Sequence, residues 1–203
     1  MRVRILMVGL LLLLGCGGGS SSSDPTQPAV SAQFTPSGTT AAPNLVRMTQ
    51  AVVDRDLVRI NVVVGGATSS TDIYSFAFDL VLSDATVASY VAGSAQAGTA
   101  LQPSGGQTIA VFANPDSARP NRVVVGVSKI GGGAGSGNGV GAGESIVVSL
   151  VFRVLRRDVT SIRFGGSSSN PTSPNFNPVA LNSGNGVISS ITFDAAAVRL
   201  TGL

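Results

Sequence analysis

The chain of 203 residues has no histidine, no tryptophan and one cysteine, and charged side chains make up only 11% of it. Each shortage closes off a chemistry. Without histidine, and with Cys16 as the lone thiol, the commonest transition-metal ligands and the usual base of serine or cysteine hydrolases are missing. A single cysteine forms no disulfide within one chain. Carboxylates are what remain for catalysis, and a glycosidase needs two of them flanking a cleft. Glu144 is the sole glutamate, and the aspartates stand apart without a motif. The sequence therefore predicts no enzyme, no catalytic residue, no metal site and no cofactor.

What is present begins with an export signal. Arg2 and Arg4 precede the run Ile5 to Leu14, which is apolar throughout except for Gly9, the charged start and short greasy core of a secretory segment. At about ten residues the run is too short for a helix to cross a bilayer, which takes about twenty. It closes on Leu13-Leu14-Gly15-Cys16, which resembles the lipobox of bacterial lipoproteins. That resemblance implies a signal peptide over residues 1–15, lipidation at Cys16 with the family's three acyl chains, palmitate among them, and anchoring of the mature protein to a membrane. Each buried methylene adds about 0.8 kcal/mol of membrane affinity, and stable anchoring takes more than one chain. Residues 16–28 continue as Gly17-Gly18-Gly19-Ser20-Ser21-Ser22-Ser23 and end at Pro28, a composition that behaves as a flexible tether. Gly17 stands where an Asp would retain a lipoprotein in the inner membrane, so the expected location is the bacterial cell envelope, with the outer membrane favoured.

The formal charge of +3 includes Arg2 and Arg4; without them eleven basic residues face ten acidic ones. Nucleic-acid binding calls for a concentrated positive field, and the largest cluster is Arg153, Arg156 and Arg157 at an expected strand end. No nucleic-acid partner is expected.

Residues 29–203 suit one domain. Val58, Ile60, Val62 and Val64 alternate with Arg59 and Asn61 before Gly65-Gly66, the period-two pattern of a half-buried strand. Ile73 to Leu82 repeats it, with Tyr74, Phe76, Phe78, Leu80 and Leu82 inward and Ser75, Ala77, Asp79 and Val81 outward. Ser145 to Val154 does so again, with Ile146, Val148, Leu150, Phe152 and Val154 inward. Shorter candidates are Val46 to Gln50, Ala88 to Ala92, Thr108 to Ala113, Arg122 to Ser128, Ser161 to Phe164, Val187 to Phe193 and Ala196 to Leu200. No window carries a helical stripe, and Gly, Pro, Ser and Asn clusters punctuate the joins. The fold class is all-β, two packed antiparallel sheets. The glycine-rich stretch Gly131 to Gly143 lacks GxGxxG spacing and leads into a strand, so it reads as a flexible connection and not as a phosphate cradle.

The order of these segments, Leu57 to Val64, Asp72 to Leu80, Val123 to Ser128, the glycine-rich loop and Ser149 to Val154, resembles a cohesin module over roughly Val46 to Leu200. The resemblance implies a β-sandwich of jelly-roll type that binds a dockerin-like module on a protein partner. It further implies a partner-binding sheet face, which falls here on Ser75, Ala77, Asp79, Arg122 and Val124, with Lys129 at the strand end. Two other readings stand beside it. One is a carbohydrate-binding module of the same fold with a polysaccharide partner, which the lack of tryptophan and the scarcity of tyrosine, Tyr74 and Tyr90 alone, argue against. The other is a structural envelope protein without a soluble ligand.

Overall fold

The computed structural model describes residues 29–166 and 177–203. The expected signal segment, Cys16 and the tether lie outside the described residues. Thirteen strands follow one another in the described residues: β1 (Ala32–Thr35), β2 (Leu45–Asp54), β3 (Leu57–Val64), β4 (Ile73–Leu82), β5 (Ala88–Tyr90), β6 (Gln96–Ala97), β7 (Thr108–Asp116), β8 (Arg119–Ile130), β9 (Ser145–Val154), β10 (Val159–Phe164), β11 (Val179–Asn182), β12 (Thr192–Phe193) and β13 (Val198–Gly202). They form two sheets. The larger runs β1-β13-β10-β4-β8-β7, with β11 joining β4 beyond the end of β10; the smaller runs β12-β2-β3-β9-β5, with β6 beside β9. Pairing is antiparallel except between β12 and β2. The chain passes repeatedly from one sheet to the other, the connectivity of a jelly-roll-type β-sandwich. Among the described residues no helix is long and apolar enough to cross a membrane.

The three alternating segments lie at the centre because their apolar faces must be buried together. Phe76, Phe78, Leu80 and Leu82 of β4 share one core with Val58, Ile60 and Val62 of β3 and Val148, Leu150 and Phe152 of β9. Phe78 meets Phe164 edge-on at 5.4 Å between ring centroids, and Phe164 meets Phe193 in the same way at 5.2 Å, the arrangement that the ring quadrupoles favour. Two hairpins fix the neighbouring registers. Between β2 and β3 the turn residue Arg55 takes φ 54°, and between β7 and β8 the Asp116 carboxylate accepts the Ala118 N–H at 2.9 Å and the Arg119 guanidinium N–H at 2.7 Å.

Several boundaries differ from the sequence reading. β2, β7, β8 and β10 are longer than expected. The expected strand Val187 to Phe193 is mostly turn: Ile191 N–H closes on the Ile188 carbonyl at 3.1 Å, Val187 makes an isolated bridge to Leu181, and only Thr192–Phe193 pair as a strand. In β9 a register shift opposite Val62 and Val63 turns Val147 inward to 1% exposure, where strict alternation placed it outside. A bulge adds one residue and so reverses the face on which its neighbours lie.

Candidate functional site

Alternation along β4, β7 and β8 builds the outer face of the larger sheet. Phe76, Phe78 and Leu80 point inward, as do Val123, Val125 and Val127, while Ile109, Val111 and Ala113 pack against the core from the edge. The intervening residues therefore face away from the core. Cross-strand pairing sets them in rows. Phe112, Gly126, Ala77 and Val179 form one row across β7, β8, β4 and β11. Ser128, Ser75 and Leu181 form the next on one side, and Val124 and Asp79 lie on the other. With strands about 4.8 Å apart, four of them span about 14 Å.

The middle of this face is low because its residues are small. A Cβ built on Gly126 would stand 3.9 Å from the Phe112 Cβ, so the phenyl ring borders an open floor. Phe112 is 53% exposed and Val124 37%. Apolar side chains standing over a flat, uncharged floor suit the desolvated centre of a protein contact, where charge is depleted and aromatic residues are enriched.

Of the six residues assigned to this face from the sequence, Ser75, Ala77 and Val124 lie on it and are partly or well exposed. The other three are buried: Asp79 is 1% exposed, Arg122 5% and Lys129 2%. Asp79 and Arg122 do lie on the outer side of the sheet, but they are spent on each other, with Arg122 Nη1 2.9 Å from Asp79 Oδ2. The contact is one of charge and not of an aligned hydrogen bond, since neither Asp79 oxygen has a bonding partner of acceptable geometry. Burial pushes the Asp79 carboxyl up, against the pull of Arg122 and Arg119 and with a small push from Asp116. Gly165 packs over it, where a Cβ would stand 3.0 Å from the Asp79 Cβ.

Lys129 fails for a different reason. β8 runs on to Ile130, so the alternation of Val123, Val125 and Val127 continues and turns the only lysine of the chain inward. Its ammonium donates to the Ser136 carbonyl at 3.1 Å. Burial holds it below the ordinary lysine value, partly offset by Asp72.

That contact belongs to a second polar cluster, and it corrects the reading of the glycine-rich stretch as a flexible connection. The Asp72 carboxylate accepts Gly137 N–H on one oxygen and the Ser183 hydroxyl on the other, each at 2.8 Å. Gln107 Nε2 donates to the Gly131 and Ser136 carbonyls at 3.3 and 3.1 Å, and the Tyr74 hydroxyl to the Gly131 carbonyl at 2.7 Å. Asn138 exchanges two backbone bonds with Ile73. The stretch is thus laced to the ends of β4, β7 and β8. Among the described residues no group of three or more acidic or thiol side chains could hold a metal. Two clefts, of about 280 and 380 Å3, carry Asp194 and Asp56 respectively, one carboxylate each.

Sequence reasoning passed over Phe112, Val179 and Leu181. Phe112 was readable, since the candidate strand Thr108 to Ala113 places it opposite in parity to Ile109 and Val111. β11 was not, because four residues carry too little alternation to stand out.

No protein-family model matches the sequence, and no curated protein matches it. Solved structures do match, among them a type II cohesin from the cellulosome of Acetivibrio cellulolyticus, 16% identical, covering 84% of this chain and 95% of that one at a TM-score of 0.45. Cohesin modules are among the solved structures that it resembles, and at these identities the likeness is one of fold. A type II cohesin from Bacteroides cellulosolvens is 13% identical at a TM-score of 0.47, covering 76% of this chain and 96% of that cohesin. The sixth cohesin of scaffoldin B from Acetivibrio cellulolyticus, solved in complex with a dockerin mutant, is 14% identical at a TM-score of 0.44, covering 83% of this chain and 96% of that cohesin chain.

Proposed function

We propose that this chain is a non-catalytic, cohesin-like binding module that engages a dockerin-like protein through the outer face of its larger sheet. The observation that carries the reading is the row Phe112, Gly126, Ala77 and Val179, a small-residue floor bordered by an exposed aromatic ring. Such a face can be desolvated at low cost because it holds no unpaired charge, and Phe112 supplies the kind of anchor on which binding energy concentrates. A carbohydrate platform is less well supported, since sugars stack on open aromatic faces and one phenyl ring offers a single such surface. The test is affinity capture with the immobilised full chain from the lysate and secreted proteins of the same organism, with its polysaccharides in a parallel arm. Retention of a protein that elutes with excess soluble chain is the expected result. Retention of polysaccharide alone would move the assignment to a carbohydrate-binding module.

The same proposal includes display from the cell envelope. Leu13-Leu14-Gly15-Cys16 supports lipidation at Cys16, and the Gly/Ser tether lets the domain stand off the membrane, with the outer membrane favoured by Gly17. Mass spectrometry of the mature protein should find an acylated N-terminal Cys16. An unmodified N-terminus at another residue contradicts the anchor while leaving the binding face untouched.

A further inference from the structure

The two sheet paths end in four strands, and three of these are short. β1 has four residues, β5 three and β12 two. The fourth is β7, with nine; β6 and β11, which lie off these paths, have two and four, and β2 runs on past its two-residue pairing with β12 but carries Arg47 and a bulge at Ala51. Short edge strands, charges, prolines and bulges are the ordinary means of keeping a sheet from pairing with another chain. β7 has none of them from Thr108 to Asn114: the run Thr-Ile-Ala-Val-Phe-Ala-Asn holds no charge, no glycine and no proline, and the first shift in register comes beyond Pro115. Outside its pairing with β8, no backbone hydrogen bond reaches Thr108–Asp116 among the described residues. Phe112 on this strand is also 53% exposed.

A row of open N–H and C=O groups is satisfied by water or by another extended strand, and only the strand meets the whole row with direct main-chain bonds. We infer that β7 pairs antiparallel with β7 of a second copy of this chain, joining the two larger sheets edge to edge. The segment meets its own requirement, being already extended and free of charge that would repel its copy. A two-fold pair also consumes both edges at once, so the assembly closes at a dimer instead of growing into a fibre. Centred on Val111, the middle of the uncharged run, the pairing sets Thr108 opposite Asn114 of the other copy and Phe112 opposite Ala110, so that each large ring meets a small neighbour. The outer faces of the two sheets then lie side by side, and two partners can be held at once. This goes beyond the proposed binding function and does not depend on it.

The test uses the full chain in detergent, with the protein mass separated from that of the micelle by sedimentation velocity. The chain should sediment as a dimer that dissociates on dilution. Thr108→Lys with Asn114→Lys places like charges opposite each other at both ends of the pairing and should give a monomer. Thr108→Glu with Asn114→Lys places opposite charges there and should keep the dimer. Both positions are exposed, and an unchanged circular dichroism spectrum checks that each variant is folded. A monomer at all concentrations overturns the inference. So does a dimer that survives the like-charge pair, and so does protection of β7 amides from exchange that appears only when another protein is added. Failure of the capture experiment above would leave these results unaffected.

Discussion

Phe78 stands at 0% exposure between β10 and β12, with Phe164 and Phe193 packed on its ring. Truncating it to Ala removes most of a buried phenyl group and leaves a cavity among aromatic neighbours. The expected loss is about 3–5 kcal/mol of stability, read from chemical denaturation, and a loss below about 1 kcal/mol would mean that the site is not packed as described. Asp72 acts through charge. Burial pushes its carboxyl up, but hydrogen bonds from Ser183 and Gly137, with help from Lys129, outweigh this and hold it below the ordinary 3.8. A carboxylate lowered in the folded state contributes stability that is present above its unfolded value and lost as pH falls through its folded one. The glycine-rich stretch should therefore stay laced at pH 5 and loosen below 3.8, seen as a smaller protection factor, the exchange rate taken relative to the intrinsic rate at each pH, for the Gly137 and Ser183 amides. Replacing Asp72 with Ala should produce the same loosening at neutral pH. Unchanged protection factors across that range would contradict the role of Asp72.

β6 shows what a two-residue element depends on. Gln96–Ala97 pair with β9, and the pairing is extended by Gly98 N–H to the Val147 carbonyl at 3.0 Å and Ala100 N–H to the Ile146 carbonyl at 2.8 Å. The backbones approach so closely that a Cβ on Gly98 would overlap the Ile146 carbonyl oxygen. Gly98→Ala should therefore pry this segment from β9, at a cost on the order of 1–3 kcal/mol, and strip protection from the amides of Gly98 and Ala100. A variant as stable as the parent would show that the approach is not constrained. Such short elements are also where the sequence was hardest to read. β3, β4 and β9 were legible because eight to ten residues of alternation commit one face to the core. β1, β6 and β11 were not, since two to four residues express no period. The site divides along the same line. Alternation gave the outward side of β4 for Ser75, Ala77 and Asp79, and the cohesin resemblance implied the same side for Arg122 and Val124, but neither says what covers a side, so the burial of the Asp79–Arg122 pair was invisible. Lys129 was misplaced by ending β8 at Ser128, two residues before its pairing stops.

The ends of β3 set the orientation of the whole molecule. The first described residues meet the turn before β3, where Ala32 N–H reaches the Arg55 carbonyl, and they also meet the C-terminus, where Ser31 and Leu203 exchange backbone bonds. The glycine-rich loop closes at the other end of β3, with Gly66 N–H on the Gly143 carbonyl at 2.8 Å. At about 3.3 Å per residue these ends are roughly 25 Å apart. In the proposed envelope display, a tether over residues 16–28 would hold the domain by its Arg55 end, with the outer sheet face along the flank. Partner binding is proposed on that face. Ala77 lies at its centre, and a long charged side chain there would be forced into a desolvated contact without a partner charge. The direct measurement is the affinity of folded Ala77→Arg for the protein captured by the unaltered chain, compared by calorimetry. Surface substitutions of this kind usually change stability by less than about 0.5 kcal/mol, so thermal unfolding should be nearly unchanged while affinity falls by at least about tenfold, about 1.4 kcal/mol. Full affinity in a folded Ala77→Arg protein would place the binding surface elsewhere and contradict the account.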